Sequence, residues 1–414
     1  MLALPRTCGR AKALGFAAAL AASALLLLVT MRPTDATAQE GTRRNTPAES
    51  PRDRLPKTSL PSATPSPSVP SQSAAPGQST AAPTPGRTPD RSAMLNCPEA
   101  AGIKTGVMRP LDVQELRRSS VPRAVWGITL GEASHGGGGK SRYDLSSPLA
   151  AAAWRRLGYE PLVIVVADNE KHADQLRASG SSDVHSLQEL SAMSVEVHVT
   201  APAPGKSPGQ TGQLVRMAAV GTEWLWNSDT VITTDADMIP LSMPFFQAGK
   251  RGTMTVFNHG ILSNQFAMCY LQSPARLWRD ILRMPGDKPQ QSFASAVNAA
   301  FGATGAGGWA TDQQTVTDLI NKWPEWSAQG HTVPVASWSG WRLDRGRSFR
   351  DFFDDVRRWE QCKAPGVDFH MQYLRPGDCE GDASKAIDAV ISRLFDSVDL
   401  GLLRDYVRRA TCGE

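Results

Sequence analysis

From residue 124 onward, apolar runs of strand length alternate with stretches of helical period, and that alternation predicts the architecture. Residues 124–130 read as a first strand, and 145–157 as a helix carrying Leu149, Ala152, Ala153 and Trp154. Leu162-Val163-Ile164-Val165-Val166 is apolar without a break, as expected of a parallel strand buried on both faces. Residues 171–177 fit a short helix, 195–199 a third strand, and 212–226 a helix leading into Val231-Ile232-Thr233-Thr234. Strands that alternate with helices imply right-handed crossovers and a parallel sheet. Beyond them, 253–257 and 265–271 predict two more strands, 273–284 an amphipathic helix, 312–322 another, and 384–409 two amphipathic helices used for packing. The expected fold class is α/β, a mixed and mainly parallel sheet flanked by helices. It occupies a single domain over residues 97–414, ample length for one large core.

The first hundred residues follow a different pattern. Residues 1–13 hold Arg6, Arg10 and Lys12 and no acid, and residues 14–31 are 18 uncharged positions dominated by Ala and Leu. That length lies near the lower edge of a spanning helix. With the basic residues on its N-terminal side, the positive-inside rule predicts a type II anchor, a cytoplasmic tail and a lumenal remainder. The rival is a cleaved signal peptide, with Ala36-Thr37-Ala38 as a small-x-small site. Residues 32–96 are rich in Pro, Ser, Thr, Ala and Gln and nearly free of large apolar side chains, which predicts an extended, disordered stem suited to O-glycosylation. Asn-x-Ser/Thr sequons are absent from the chain.

Charge and cysteines narrow the function classes. The net charge of +4 comes from 44 basic and 40 acidic residues with no basic block, which argues against nucleic acid as a partner. Six cysteines, at 8, 97, 269, 362, 379 and 412, form no Cys-x-x-Cys, so neither a zinc site nor a thioredoxin-like motif is indicated. Five lie beyond the anchor, an odd set in a secreted chain, and Cys362, Cys379 and Cys412 are close enough in sequence for a C-terminal staple of open pairing. Eleven Trp against five Tyr supply core and also flat faces on which sugar rings stack. Gly136 to Ser141 includes Gly139-Lys140-Ser141, but a phosphate-binding loop needs glycine where this chain has Ser134. The segment reads as a glycine-rich loop instead.

The candidate chemistry lies in Val231-Ile232-Thr233-Thr234-Asp235-Ala236-Asp237-Met238-Ile239-Pro240. A buried-strand pattern runs into two carboxylates one residue apart, and Pro240 then ends regular structure. Ligands of open parallel sheets bind beyond the carboxyl ends of strands, which places Asp235 and Asp237 at a ligand's reach. Hard oxygen donors at that rim suit Mg²⁺ or Mn²⁺ shared with a diphosphate. An acidic turn after an edge strand is the competing interpretation.

A strand ending in Asp-x-Asp, in an α/β domain behind an anchor and a Pro/Ser/Thr stem, resembles the GT-A glycosyltransferases. The likeness covers roughly residues 120–380. It implies a Rossmann-like GT-A domain, a nucleotide-sugar donor such as a UDP-sugar, a glycan or glycoprotein acceptor, and a lumenal ER or Golgi setting. It also implies that Asp235 and Asp237 hold Mn²⁺ or Mg²⁺ on the donor phosphates. Trp309-Ala310-Thr311-Asp312-Gln313 is similar to the family's acidic segment at the start of a helix, which makes Asp312 the candidate acceptor base as well as a good capping residue. Val367 to Gly377 is similar, with the spacing shifted by one residue, to the late His and basic-Pro segment of glycogenin-type members. By that likeness His370 completes the metal site and Arg375 holds the leaving diphosphate. Arg216, on the helix before the strand, is a further candidate for phosphate charge. Asp344 and Arg345 read either as a salt-bridged turn or as acceptor wall. An inverting reaction needs a base such as Asp312 and a retaining one does not. The competing functions are a sugar-nucleotide pyrophosphorylase and an inactive, stalked carbohydrate-binding protein. Replacing either Asp235 or Asp237 with Ala is expected to abolish activity and leave the fold intact, since exposed rim carboxylates add little to a core.

Overall fold

Alternate side chains of the central strands face two different cores, so helices must cover the sheet on both faces. In β1 (Arg123–Thr129) and β2 (Glu160–Val166), Ala124, Trp126, Ile128, Val163 and Val165 join one core, while Val125, Leu162, Ile164 and Val166 join the other. The computed structural model describes residues 121–130, 142–179, 184–259, 262, 264–284, 293–301, 311–334, 342–344, 348–361, 366–371, 374–377 and 379–412. The expected anchor and stem, the glycine-rich segments at 136–141 and 302–308, Trp309, Arg345, Cys97 and Cys362 lie outside the described residues. Among those described, no helix is long and apolar enough to cross a membrane.

The elements follow in order. After β1 come α1 (Tyr143–Arg156), β2, α2 (Glu170–Ala178), α3 (His185–Ala192), β3 (Glu196–Thr200), α4 (Pro208–Ala218) and a 3-10 turn (Ala219–Gly221). Then come β4 (Thr230–Thr233), β5 (Met238–Pro240), α5 (Met243–Gln247), β6 (Met254–His259), β7 (Leu271–Pro274), α6 (Ala275–Ile281), α7 (Phe293–Phe301) and α8 (Thr311–Asn321). The last group is α9 (Trp326–Gln329), β8 (Gly330–Pro334), β9 (Arg342–Asp344), α10 (Phe349–Glu360), β10 (Asp368–His370), α11 (Asp382–Leu394) and α12 (Ser397–Cys412).

Seven strands form one sheet in the order β3-β2-β1-β4-β7-β6-β8. It is mostly parallel: β7 alone is reversed, antiparallel to both β4 and β6. A second sheet has the order β5-β10-β9, with β5 antiparallel to β10 and β9 parallel to it. The α/β class, with helices on a mainly parallel sheet, is as the hydrophobic pattern predicts. On the face where Trp126 lies, α1 packs Leu149, Ala150 and Trp154 into a core completed by Ile387, Leu403 and Tyr406 of α11 and α12. On the other face α4 and α6 supply Leu214, Val215, Met217, Leu277 and Trp278.

Three expected elements are revised. The helix expected over 212–226 begins earlier and ends sooner. Ser207 caps it, its side chain accepting from Gln210 N while Gln210 accepts from Ser207 N, and Pro208 opens the first turn. The strand expected over 265–271 is irregular, because Phe266 N and Met268 N donate to side chains of α8, Thr317 at 2.8 Å and Gln313 at 3.5 Å, instead of to a neighbouring strand. Strand β7 starts at Leu271 and runs through Pro274, so the amphipathic helix begins at Ala275 and not at 273. The nearness of α4 to β1 positions the site: a side chain at Gly127 would overlap the Gly212 carbonyl oxygen and Val215. The helix therefore lies low on the sheet, and one turn beyond Gly212 is Arg216.

Candidate functional site

At the end of β4 the chain changes sheets. Thr234 N still donates to Val125 O at 3.0 Å, and four residues later Met238 begins the second sheet. Asp235, Ala236 and Asp237 therefore form the crossing between the two sheets, at the carboxyl end of a central parallel strand. Pro240 ends β5 and so does stop regular structure, one short strand later than the sequence pattern implies.

The second sheet brings the distant C-terminal segment to this crossing. Its register sets Phe369 beside Ile239 and His370 beside Met238, and Met371 N donates to Asp237 O at 2.8 Å. The result is that His370 Nε2 lies 3.4 Å from Asp237 Oδ2. Asp237 is buried, at 3% exposure. This corrects the expectation of an exposed rim carboxylate: replacing Asp237 also perturbs packing.

The other carboxylate of the pair takes a different partner. Asp235, with its side chain about two-fifths exposed (41%), is ion-paired to Arg216 Nη1. Arg216 Nη2 lies 2.5 Å from Asp312 Oδ2. The second oxygen of Asp312 accepts from Gln313 N at 2.7 Å, which is the first-turn role its position at the start of α8 allows. Arg216 thus bridges two carboxylates contributed by a β-turn and a helix start. Burial would weaken its hold on the proton, but Asp235 and Asp312 raise its affinity above the ordinary value. Arg216 stays charged, and in this position it neutralises carboxylates. Burial pushes the Cys269 thiol up to about 11 against the pull of Arg342, which leaves it protonated and unsuited to nucleophilic or ligand chemistry at neutral pH.

Five of the six residues singled out from the sequence therefore lie in two contacting groups, Asp235, Arg216 and Asp312 in one and Asp237 and His370 in the other. The sixth, Arg375, is exposed in the turn 374–377 and forms no ion pair with the other five. The expected set of metal ligands, Asp235, Asp237 and His370, is not assembled as a triad. Among the described residues no group of three or more His, Cys, Asp and Glu side chains is arranged to hold a metal ion. Asp235 is instead ion-paired to Arg216.

The Asp237 and His370 pair is the one described contact between two of the expected ligands. An oxygen and a nitrogen 3.4 Å apart are close to the roughly 3 Å that separates adjacent ligands around a 2.1 Å octahedral ion. Carboxylate and imidazole are acceptable ligands of Mn²⁺.

Asp344, which the sequence offers as a salt-bridged turn or acceptor wall, takes a partner the sequence does not indicate. Asp344 Oδ1 lies 3.1 Å from His370 Nδ1, so the imidazole has a carboxylate at each nitrogen. The signal lies in two matching triplets, Arg342-Leu343-Asp344 and Asp368-Phe369-His370. Each is polar, apolar, polar, and in parallel register the outer positions pair Arg with Asp and Asp with His. The first rung, Arg342 to Asp368, is bidentate at 2.7 Å for both bonds and is buried.

No family model matches the sequence, and no curated protein matches it.

Proposed function

We propose that the chain is a metal-dependent glycosyltransferase of the GT-A kind. It moves a sugar from a nucleotide-diphosphate donor, a UDP-sugar, to a glycan or glycoprotein acceptor, anchored by residues 14–31 with its domain facing the ER or Golgi lumen. The observation that carries this reading is the approach of His370 to Asp237 at 3.4 Å, across a strand pairing that joins the crossing after β4 to the far C-terminal segment. Asp237 and Asp344 lie against the two nitrogens of His370, and Asp235 and Asp312 against Arg216. The Cys379–Cys412 disulfide is consistent with an oxidising compartment.

Asp237 and His370 would hold Mn²⁺ or Mg²⁺, with Asp235 as a third ligand once released from Arg216. The ion supplies Lewis-acid stabilisation of a leaving diphosphate. The chain's own residues do the rest. Arg216, freed from Asp235, presents a buried positive charge to anionic oxygen while Asp312 keeps it in place. Asp312 accepts at both oxygens, from Arg216 and from Gln313 N, and so holds Arg216 in place. Arg375 is exposed on the turn after β10.

The Arg216–Asp235 pair also favours a second reading, an inactive stalked carbohydrate-binding protein whose first aspartate has become structural. The full-length chain, purified in mild detergent and incubated with a panel of UDP- and GDP-sugars, separates the two. Nucleotide release from one donor that depends on Mn²⁺, stops with EDTA and falls at least a hundredfold in Asp235→Asn is the expected result. No release and no Mn²⁺-dependent nucleotide binding would leave the binding-protein reading in its place.

A further inference from the structure

We propose that the turn Trp226–Asp229 is a carbohydrate-binding site separate from the carboxylate cluster, with the Trp226 indole as its stacking face. Its ligand class is a neutral glycan. The site stands whichever of the two readings above holds, because it lies on the other rim of the sheet. Trp226 comes four residues before β4 begins, and Asp235 two residues after β4 ends.

The indole stands out by its exposure. Trp126, Trp154, Trp278 and Trp359 are buried, and Trp224, two residues away, is stacked between His198 and Phe293 with ring centroids at 4.0 and 5.7 Å. Trp226 is 60% exposed, and among the described residues its ring has no aromatic neighbour. The backbone that displays it is pinned. The turn closes on itself, with Trp226 N donating to Asp229 Oδ2 at 2.7 Å and Asp229 N to Trp226 O at 3.0 Å. The buried Arg279 donates to Val220 O, to Leu225 O at 2.7 Å and to Asn227 Oδ1, so its guanidinium grips the chain on both sides of Trp226. Ala275 N and Arg276 N add bonds to Asp229 O and Asn227 O. A turn held this way leaves little ordering cost to meet when a ligand arrives.

The polar groups at the tip fit hydroxyls. Asn227 turns its oxygen to Arg279, which leaves the carboxamide N–H groups directed away from that cation, and Ser228 is exposed beside it. A sugar ring presents C–H groups on a face and hydroxyls around its edge, and a flat aromatic body next to amide and hydroxyl groups matches both. The surroundings disfavour other partners. Exposed Glu223 and Arg276 flank the turn with opposite charges, which gives no net attraction to an anionic membrane or nucleic acid. The other exposed large apolar side chains among the described residues are elsewhere. Leu262 follows β6 at the opposite rim, and Val398 and Leu402 lie on α12, which packs on the other face of the sheet. A single indole matches the area of a single sugar ring and falls well short of the roughly 800 Å² per partner that a stable protein interface buries.

The test uses the full-length chain in mild detergent, with maltohexaose, cellohexaose, mannohexaose, xylohexaose and chitohexaose as probes and saturation transfer from protein to sugar protons as the signal. At least one probe should bind with a dissociation constant on the order of 1–10 mM, unchanged by UDP and Mn²⁺. Trp226→Ala should weaken that binding at least about tenfold at an unchanged melting temperature. Trp226→Tyr, which keeps a flat ring, should retain most of it. Transfer to none of the sugars, or equal affinity in the wild type and Trp226→Ala, would overturn the site. Equal losses in the Tyr and Ala variants would remove stacking as its basis and overturn it too. A dimer in sedimentation velocity that Trp226→Ala abolishes, or Trp226 quenching by brominated lipid in nanodiscs, each without sugar binding, would give the indole to a second copy or to the membrane instead. None of these outcomes bears on the metal reading, which nucleotide release tests separately.

Discussion

Asp235 and Asp237 are one residue apart and belong to different electrostatic neighbourhoods, the first paired with Arg216 and the second beside His370. Their types and spacing are readable in the sequence. Their partners are not, because Arg216 and His370 come from separate helices and strands whose approach depends on packing. The same holds for a group remote from the site. Burial would raise the pKa of Glu196, but hydrogen bonds and charge from His198, at 2.8 Å, and Arg123, at 2.5 Å, bring it down to about 2. A carboxylate whose pKa is lower folded than unfolded stabilises the fold fully above its unfolded value near 4.3, and that contribution is lost as pH falls toward about 2. Wild-type stability in urea should therefore drop between about pH 4.5 and 2 by up to roughly 3 kcal/mol more than that of Glu196→Gln. Parallel curves for the two proteins would show that Glu196 is not held in this way. Glu160 acts in the opposite sense, since burial outweighs Arg155 and raises its pKa, so the comparison with Glu196→Gln is needed to isolate the effect.

Among the elements, the long ones were legible and the three-residue ones were not. Strand β2 is seven buried residues and announces itself, as do α1 and the C-terminal helix pair. Strands β5, β9 and β10 have three residues each, too few to show a period of two, yet they form the sheet that delivers His370 and Asp344. Helix α10, amphipathic and capped by Ser348, carries its period in the spacing of Phe352, Val356 and Trp359. Close contact between α4 and β1 supports a prediction at this scale. Gly127→Ala forces a methyl group against the Gly212 carbonyl and should cost about 2–3 kcal/mol, in the range of overpacked cores. Gly209→Ala, on the same helix with open space around the added carbon, should be neutral or slightly stabilising. Urea midpoints measure both, and equal midpoints would mean that α4 can lift from the sheet without loss.

At the scale of the whole molecule, the two ends of the described region meet around α1. Tyr406 on α12 donates to Leu145 O at 2.8 Å, and Arg409 pairs with Glu189 of α3 at 2.9 Å. Cys379, on the turn that follows β10, is bonded to Cys412 at the end of α12, a separation of 33 residues. A cross-link of that span should contribute about 3–4 kcal/mol by restricting the unfolded chain. The double variant Cys379→Ser/Cys412→Ser should lose that much in chemical unfolding, and dithiothreitol should lower the wild type to match it. If the reductant leaves wild-type stability unchanged, the bond is not formed in solution. Of the three C-terminal cysteines the sequence left the pairing open, because proximity along a chain says little about where side chains point; Cys362 lies outside the described residues.

By itself the sequence determined the α/β class, the mainly parallel sheet buried on both faces, and the Asp-x-Asp at a strand's carboxyl end. Those are local or periodic properties, written in hydrophobic spacing and in which residues end a strand. Only the tertiary structure decided that Asp235 is drawn to Arg216, that Asp237 is buried beside His370, and that Asp344 completes a chain of carboxylate, imidazole and carboxylate. These depend on strand register and on how low one helix lies on a sheet. Both are settled by packing between segments far apart in the chain, where no local pattern carries the information.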